Sequence, residues 1–253
     1  MRKIKFLVLL FIVYSCNKEK FFDGPDFYTD DFESYSSFDE LFLGDDVNWS
    51  FKQFTREENT YSIDTNITHS GNQSIKCFAL KSTDEKVSKC SFAKQNMAFW
   101  EGETMRTTAW YYIDGNNTLK WLFIMVFEEQ TAIGAGPGMR LALVDNKLRV
   151  EYKFYEKDIV QEVGKEIDFP RNQWVEVKWE VKLSKKNKGA VRLWQDGQLI
   201  IDTKNNRTLP KDILYSLQGT KGMYSSVEVG ITANSRDNDL ILYVDDVKME
   251  KVE

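Results

Sequence analysis

Several residue types are scarce in this chain, and each scarcity removes a class of function. Histidine occurs once and cysteine three times in 253 residues, with no Cys-x-x-Cys spacing. A zinc-type or dithiol redox site is therefore not expected. Basic residues do not predominate, since 34 Lys+Arg stand against 39 Asp+Glu for a net charge of −5. Nucleic acid is not an expected partner, because neutralising phosphates needs a basic surface. No window longer than about ten residues holds capped helical spacing, so helices should be short or absent. The apolar run Phe6 to Val13 is far below the roughly 20 residues that span a bilayer.

What surrounds that run is informative. Arg2, Lys3 and Lys5 precede it and Val13-Tyr14-Ser15-Cys16 closes it. A basic start, a short apolar stretch and a small residue before the cut make an export signal. With a cysteine after the cut, it resembles a bacterial lipoprotein signal. Residues 1–15 are then removed, and Cys16 is acylated and holds the protein to a membrane of the cell envelope, at the outer-membrane surface or the periplasmic face. Residues 16–28 read as a polar tether and residues 29–253 as one domain. Losing three basic residues takes Lys+Arg from 34 to 31 against 39 acidic residues, a mature net charge of −8.

With Cys16 assigned to lipid, Cys77 and Cys90 remain, in a compartment that permits disulfides. Ser74 to Leu80 and Val87 to Ala93 read as a hairpin folded between Thr83 and Asp84, which sets Cys77 opposite Cys90 at a spacing a cross-strand disulfide accepts. The alternative is two buried free thiols.

From about Thr29 the chain alternates with period two and is rich in Val, Ile, Tyr, Trp and Thr. Met139 to Val144 and Lys147 to Tyr155 flank Asp145-Asn146, a two-residue turn that favours positive φ. In that register Leu143, Leu141 and Met139 face Leu148, Val150 and Tyr152, and Arg140 stands opposite Glu151. Trp174 to Leu183 puts Val175, Val177, Trp179, Val181 and Leu183 on one face. Ala190 to Ile201 is a hairpin around Asp196-Gly197. Leu240 to Met249 is the last strand, with Tyr243, Asp245, Val247 and Met249 on one side. Gly134-Ala135-Gly136-Pro137-Gly138 reads as a rim loop, since it lacks the lysine and helix of a phosphate loop. Many strands with short turns make an all-β sandwich or barrel.

The order Trp121 to Phe127, the Leu-Arg-Val-Glu-Tyr hairpin, Asn172-Gln173-Trp174-Val175-Glu176-Val177 and Val191-Arg192-Leu193-Trp194-Gln195-Asp196-Gly197 resembles the concanavalin-like jelly rolls. Within them it is most similar to the heparin-lyase-like group of polysaccharide lyases and their non-catalytic relatives. Asp30-Asp31-Phe32-Glu33 and Thr68-His69-Ser70-Gly71-Asn72-Gln73-Ser74 look like openings of secreted carbohydrate-binding jelly rolls. The resemblance implies a β-sandwich of two antiparallel sheets and a polysaccharide or oligosaccharide ligand. It also implies a Gln-x-His element where this chain reads Glu128-Glu129-Gln130, and a Gly-x-Tyr element where it reads Val229-Gly230-Ile231-Thr232. Both catalytic elements are missing, which favours binding without cleavage.

Three candidate sites follow. Arg106, Trp110 and Tyr112 share one strand face; joined to Arg140, Arg149, Glu151, Lys153 and Tyr155 they would give aromatics interleaved with charges on a concave sheet, the pattern that holds sugars. The alternative is a solvated face with cross-strand ion pairs. Asp31, Glu33 and Asp245 would hold a structural calcium ion if the first and last strands are neighbours, or else are solvated strand ends. His69 reads as a turn residue. The sequence thus predicts a lipid-anchored glycan-binding protein with outer-membrane uptake partners. A divergent lyase with Tyr155 or Tyr112 as base beside Arg106 or Arg149, or an adhesion module without a sugar ligand, are the alternatives.

Overall fold

The computed structural model describes residues 20, 23–44, 47–131, 134–154, 156–210 and 221–252. The predicted lipidation site Cys16, the predicted signal over residues 1–15 and Tyr155 lie outside these residues. Among the described residues the strands are β1 Phe27–Asp30, β2 Phe51–Phe54, β3 Thr60–Asp64, β4 Ser74–Ala79, β5 Cys90–Lys94, β6 Phe99–Trp100, β7 Thr104–Ile113 and β8 Trp121–Thr131. They continue with β9 Gly134–Val144, β10 Lys147–Tyr152, β11 Trp174–Lys182, β12 Gly189–Gln195, β13 Gln198–Asn206, β14 Met223–Tyr224, β15 Ser226–Asn234 and β16 Leu240–Val252. One short 3-10 turn, Phe38–Phe42, is the only helix among them, and none is long and apolar enough to cross a membrane.

Two antiparallel sheets pack face to face as a jelly roll. The larger runs β13-β12-β11-β7-β16-β4-β3, with β1 also paired to β16; the smaller runs β10-β9-β8-β15-β5-β2. Alternation decides which side chains lie between them. On β7, Met105, Thr107, Ala109, Tyr111 and Ile113 are buried, and their neighbours are only partly so. The predicted inner row of β11, Val175, Val177, Trp179 and Val181, is fully buried, as is Leu183. Trp179 stacks on Phe127 of the opposite sheet at 4.0 Å and 11°, a contact that joins the two layers.

The turns follow their local chemistry. Asp145 and Asn146 have φ of 49° and 60°, and the β9–β10 register sets Leu143, Leu141 and Met139 against Leu148, Val150 and Tyr152 as predicted. Asp196 and Gly197 turn β12 into β13, also with positive φ.

Four expectations are corrected. β4 and β5 are not a hairpin: β4 lies between β16 and β3, and β5 between β15 and β2 in the other sheet. Cys77 and Cys90 therefore come from opposite layers, and both are buried free thiols. Burial, with Cys90 alongside, pushes the Cys77 thiol well above its ordinary value. Gly230, at φ +107°, makes room for them, because a Cβ there would lie 3.0 Å from the Cys90 carbonyl oxygen and 3.3 Å from Cys77 Sγ.

The glycine run 134–138 opens strand β9 instead of forming a rim loop. Gly138 is required there, since a Cβ would fall 1.7 Å from the Phe127 carbonyl oxygen on β8. In β16 a bulge between Asp245 and Lys248, with Asp246 at φ 47°, breaks the alternation. Tyr243 and Asp245 pair with the outward Tyr112 and Trp110, whereas Val247 and Met249 join the core. The fourth correction concerns the candidate sugar face.

Candidate functional site

The residues predicted to form one sugar face lie on two. Arg106, Trp110 and Tyr112 are on the outside of the eight-stranded sheet, whereas Arg140, Arg149, Glu151 and Lys153 belong to the outside of the six-stranded sheet. Alternation tells inside from outside within a strand, but not which outside a strand will share.

Outside the eight-stranded sheet, rings and charges satisfy one another. Trp110 stacks on His69 at 3.6 Å and 15°, and Tyr112 meets Trp174 and Tyr243 edge-on at 5.8 and 5.6 Å. His69 Nδ1 shares a 2.6 Å hydrogen bond with Asp246 Oδ2, which fixes the ring. Arg106 donates from Nε to Glu180 at 2.7 Å and from Nη1 to Glu250 at 3.3 Å. Arg192 and Lys248 approach the remaining oxygens of those two glutamates.

Two of the predicted calcium ligands, Glu33 and Asp245, hold the backbone of the same loop, residues 69–73. Glu33 accepts hydrogen bonds from the N–H groups of Asn72 and Gln73 at 2.8 and 2.9 Å, and Asp31 accepts one from Glu33 N–H at 3.2 Å. Asp245 is fully buried and accepts from the N–H groups of His69 and Asp246 at 2.9 and 2.8 Å. Among the described residues no three His, Cys, Asp or Glu side chains gather as a metal site. Burial, with Asp246 adding and the N–H bonds opposing, pushes the Asp245 carboxyl up to about 6.

Outside the six-stranded sheet, register places a band of charge across adjacent strands. Arg140 on β9 stands between Glu151 on β10 and Val126 on β8; Glu128 on β8 stands between Gly138 and Ser226; Glu228 on β15 stands beside Ala93 on β5. Arg140 donates from Nε and Nη2 to Glu151 Oε2 at 3.1 and 2.8 Å. Arg149 donates to the other oxygen of the same carboxylate, from Nε at 2.9 Å and also from Nη2. Two guanidinium forks are held by one buried carboxylate, and the rest of each fork is open to a ligand. Phe123 orients one of them, with Arg140 Cζ 3.7 Å above its ring, and Trp121 lies 5.1 Å from Phe123.

The band continues toward β2. Lys153, held opposite Gly138 by its N–H, reaches over that glycine to the Glu128 carboxylate. Ser91 donates to Glu228, and Lys89 donates to Gln53 on β2 at 3.0 Å. Burial raises the Glu228 carboxyl above the usual range, opposed by Ser91 and Lys89. At the other end Asp158, 3.8 Å from Arg149, is also raised, by burial and by Glu151. The raised carboxyls of Glu228 and Asp158 lessen the negative charge beside Arg140, Arg149 and Lys153, which favours an anion at this band. Glu128, Glu228, Ser91, Phe123 and Trp121 were not predicted; their outward period-two positions on β8, β15 and β5 were the available signal.

Comparison with known proteins agrees with this architecture. Endo-β-1,4-glucuronan lyase from the fungus Trichoderma reesei superposes with a TM-score of 0.64 at 15% identity, over 80% of this chain and 90% of that one. A variant of alginate lyase Aly36B in complex with alginate trisaccharide gives 0.60 at 11% identity, over 91% and 100%. Cellulose induced protein, Cip1, gives 0.58 at 15% identity, over 88% and 96%. No curated protein matches by sequence. The profile of the polysaccharide lyase family matches residues 41–248. On that match, spanning most of a jelly roll with a charged outer face, the chain belongs to the polysaccharide lyase family.

Proposed function

We propose that the outer face of the six-stranded sheet binds a uronate-containing polysaccharide and holds it without cleaving it. The carrying observation is the Arg140–Glu151–Arg149 cluster, in which two oriented guanidinium groups keep open donors beside Phe123 and Trp121. A uronate carboxylate takes a bidentate fork, and a sugar ring lies against an aromatic face. Strand positions on this face carry no histidine or tyrosine among the described residues, Tyr155 lying outside them, which supports capture over proton abstraction next to a uronate. In this reading Cys16 is lipidated, the protein sits at the cell envelope, and the captured glycan passes to uptake partners in the outer membrane. Isothermal titration against acidic and neutral polysaccharides is the test. Binding of neutral glycans alone, or of none, would overturn it.

A second reading is cleavage by β-elimination, and family membership together with Lys153 favours it. Of the residues first considered for that chemistry, Tyr112 and Arg106 lie on the other sheet, and only Arg149 is in the band. Lys153 would then take the base role after releasing its proton, with Arg140 and Arg149 neutralising the carboxylate. Ultraviolet absorbance of the unsaturated product separates the two readings. A flat trace across uronate polymers that nonetheless bind supports capture, and a rising one supports the lyase.

A further inference from the structure

The charged band does not end at Arg149. A cavity of about 300 Å³ continues it at the β10 edge, lined among others by Val144, Lys147, Arg149, Val160, Val163 and Glu166. That volume is at the lower end of the range for small-molecule sites. Its far wall is the loop after β10, and this wall is preformed. Ile159 pairs with Val150 through two 2.9 Å backbone hydrogen bonds. Gln161 ties the loop down, donating to the Leu148 and Ile167 carbonyl oxygens at 3.1 and 3.3 Å and accepting from Ile167 N–H at 2.9 Å.

The lining differs in character from the band beside it. Lys147 is engaged with Asp168 at 2.7 Å, and Glu166, which accepts the Gly164 N–H at 2.7 Å, keeps its negative charge without a paired cation among the described residues, so the cavity offers an anion no open cation. What the loop offers instead is apolar: Val160 is 54% exposed and Val163 86% exposed, on a wall that packing does not require them to cover. An exposed valine pair beside an arginine cluster suits a ligand that is anionic at one unit and uncharged at the next.

The geometry points to a subsite for a neutral sugar, seated against Val160 and Val163 next to the uronate held by Arg140 and Arg149. The inference rests on the reading of the band as a uronate site, and it names the ligand class as a heteropolysaccharide in which a uronate is flanked by neutral sugars, in preference to a chain of consecutive uronates. A second carboxylate in the cavity would meet Glu166 and gain no open cation, whereas a neutral ring would cover the valine side chains.

The experiment compares two oligosaccharides of equal length by isothermal titration, one an oligoglucuronate and one with a single glucuronate between neutral sugars. The flanked oligosaccharide is expected to bind about tenfold tighter, and Val163→Asn, at a site too exposed to matter for folding, is expected to abolish that advantage. Oligoglucuronate affinity should not fall in that variant, which adds no charge, and Arg140→Ala should weaken both ligands. Equal binding of the two, tighter binding of oligoglucuronate, or an unchanged preference in Val163→Asn overturns the subsite while leaving the band intact. Binding of neither overturns the band, and the subsite with it.

Discussion

The two outer faces of this sandwich use the same residue types to opposite ends. Outside the eight-stranded sheet one arginine, Arg106, is divided between two glutamates, and Trp110 has its ring stacked on His69. Outside the six-stranded sheet two arginines are divided over one glutamate, and the aromatic ring supports a cation. The first arrangement completes itself; the second leaves donors over. Composition cannot separate them, and the number of partners per charge can.

The strongest way to break the comparison is to disturb the backbone beneath the second face. Gly138→Ala would drive a Cβ into the Phe127 carbonyl and part β9 from β8, which carry Arg140, Glu128 and Phe123. We expect a loss of about 3 kcal/mol or more in denaturant unfolding, with glycan binding lost alongside. Removing the two guanidinium groups together, Arg140→Ala with Arg149→Ala, should weaken uronate binding by about 100-fold in titration calorimetry. Arg106→Ala should leave affinity unchanged and lower stability by about 1 kcal/mol, since Glu180 would keep only the more distant Arg192. If Arg106→Ala weakened the glycan as much as the double variant, the contrast between the faces would fail.

A charge that belongs to neither face sharpens the comparison. Glu129 is 2% exposed, and neither carboxyl oxygen has a hydrogen-bond partner. Burial raises it from 4.5 to about 8, with Lys185 opposing and Glu101 adding. Folding therefore takes up a proton at Glu129 between those values, so this group's contribution to stability is fully present below pH 4.5 and is lost as pH rises to about 8. Glu129→Gln should flatten that decline and gain a few kcal/mol at pH 8 in denaturant unfolding; an unaltered slope would contradict it. The smallest effect belongs to Phe123→Ala. Without the ring beneath Arg140, affinity should fall about threefold to tenfold with little change in fold.

Much of the fold was legible because the period-two signal is local. Asp145-Asn146 fixed a turn, and the turn fixed the pairing of Arg140 with Glu151. What failed was non-local. Cys77 and Cys90 both face inward, but a sequence does not say that they do so from different sheets. Trp110 and Arg140 both face outward, and the same ambiguity merged two faces into one. The bulge at Asp245 and the strand made from the glycine run depend on close backbone approaches that only the partner strand reveals. Half of the candidate band was readable from one hairpin; Glu128, Glu228 and Ser91 needed the neighbouring strands in place.

The first strand has a consequence for how the molecule stands. β1 pairs with the last part of β16, Phe27 beside Glu250, so the chain enters and leaves through the eight-stranded sheet. The guanidinium cluster lies on the far layer, with about 10 Å of packed side chains between the two sheets. The chain's first strand therefore lies in the back layer of the sandwich, and the charged band faces the other way.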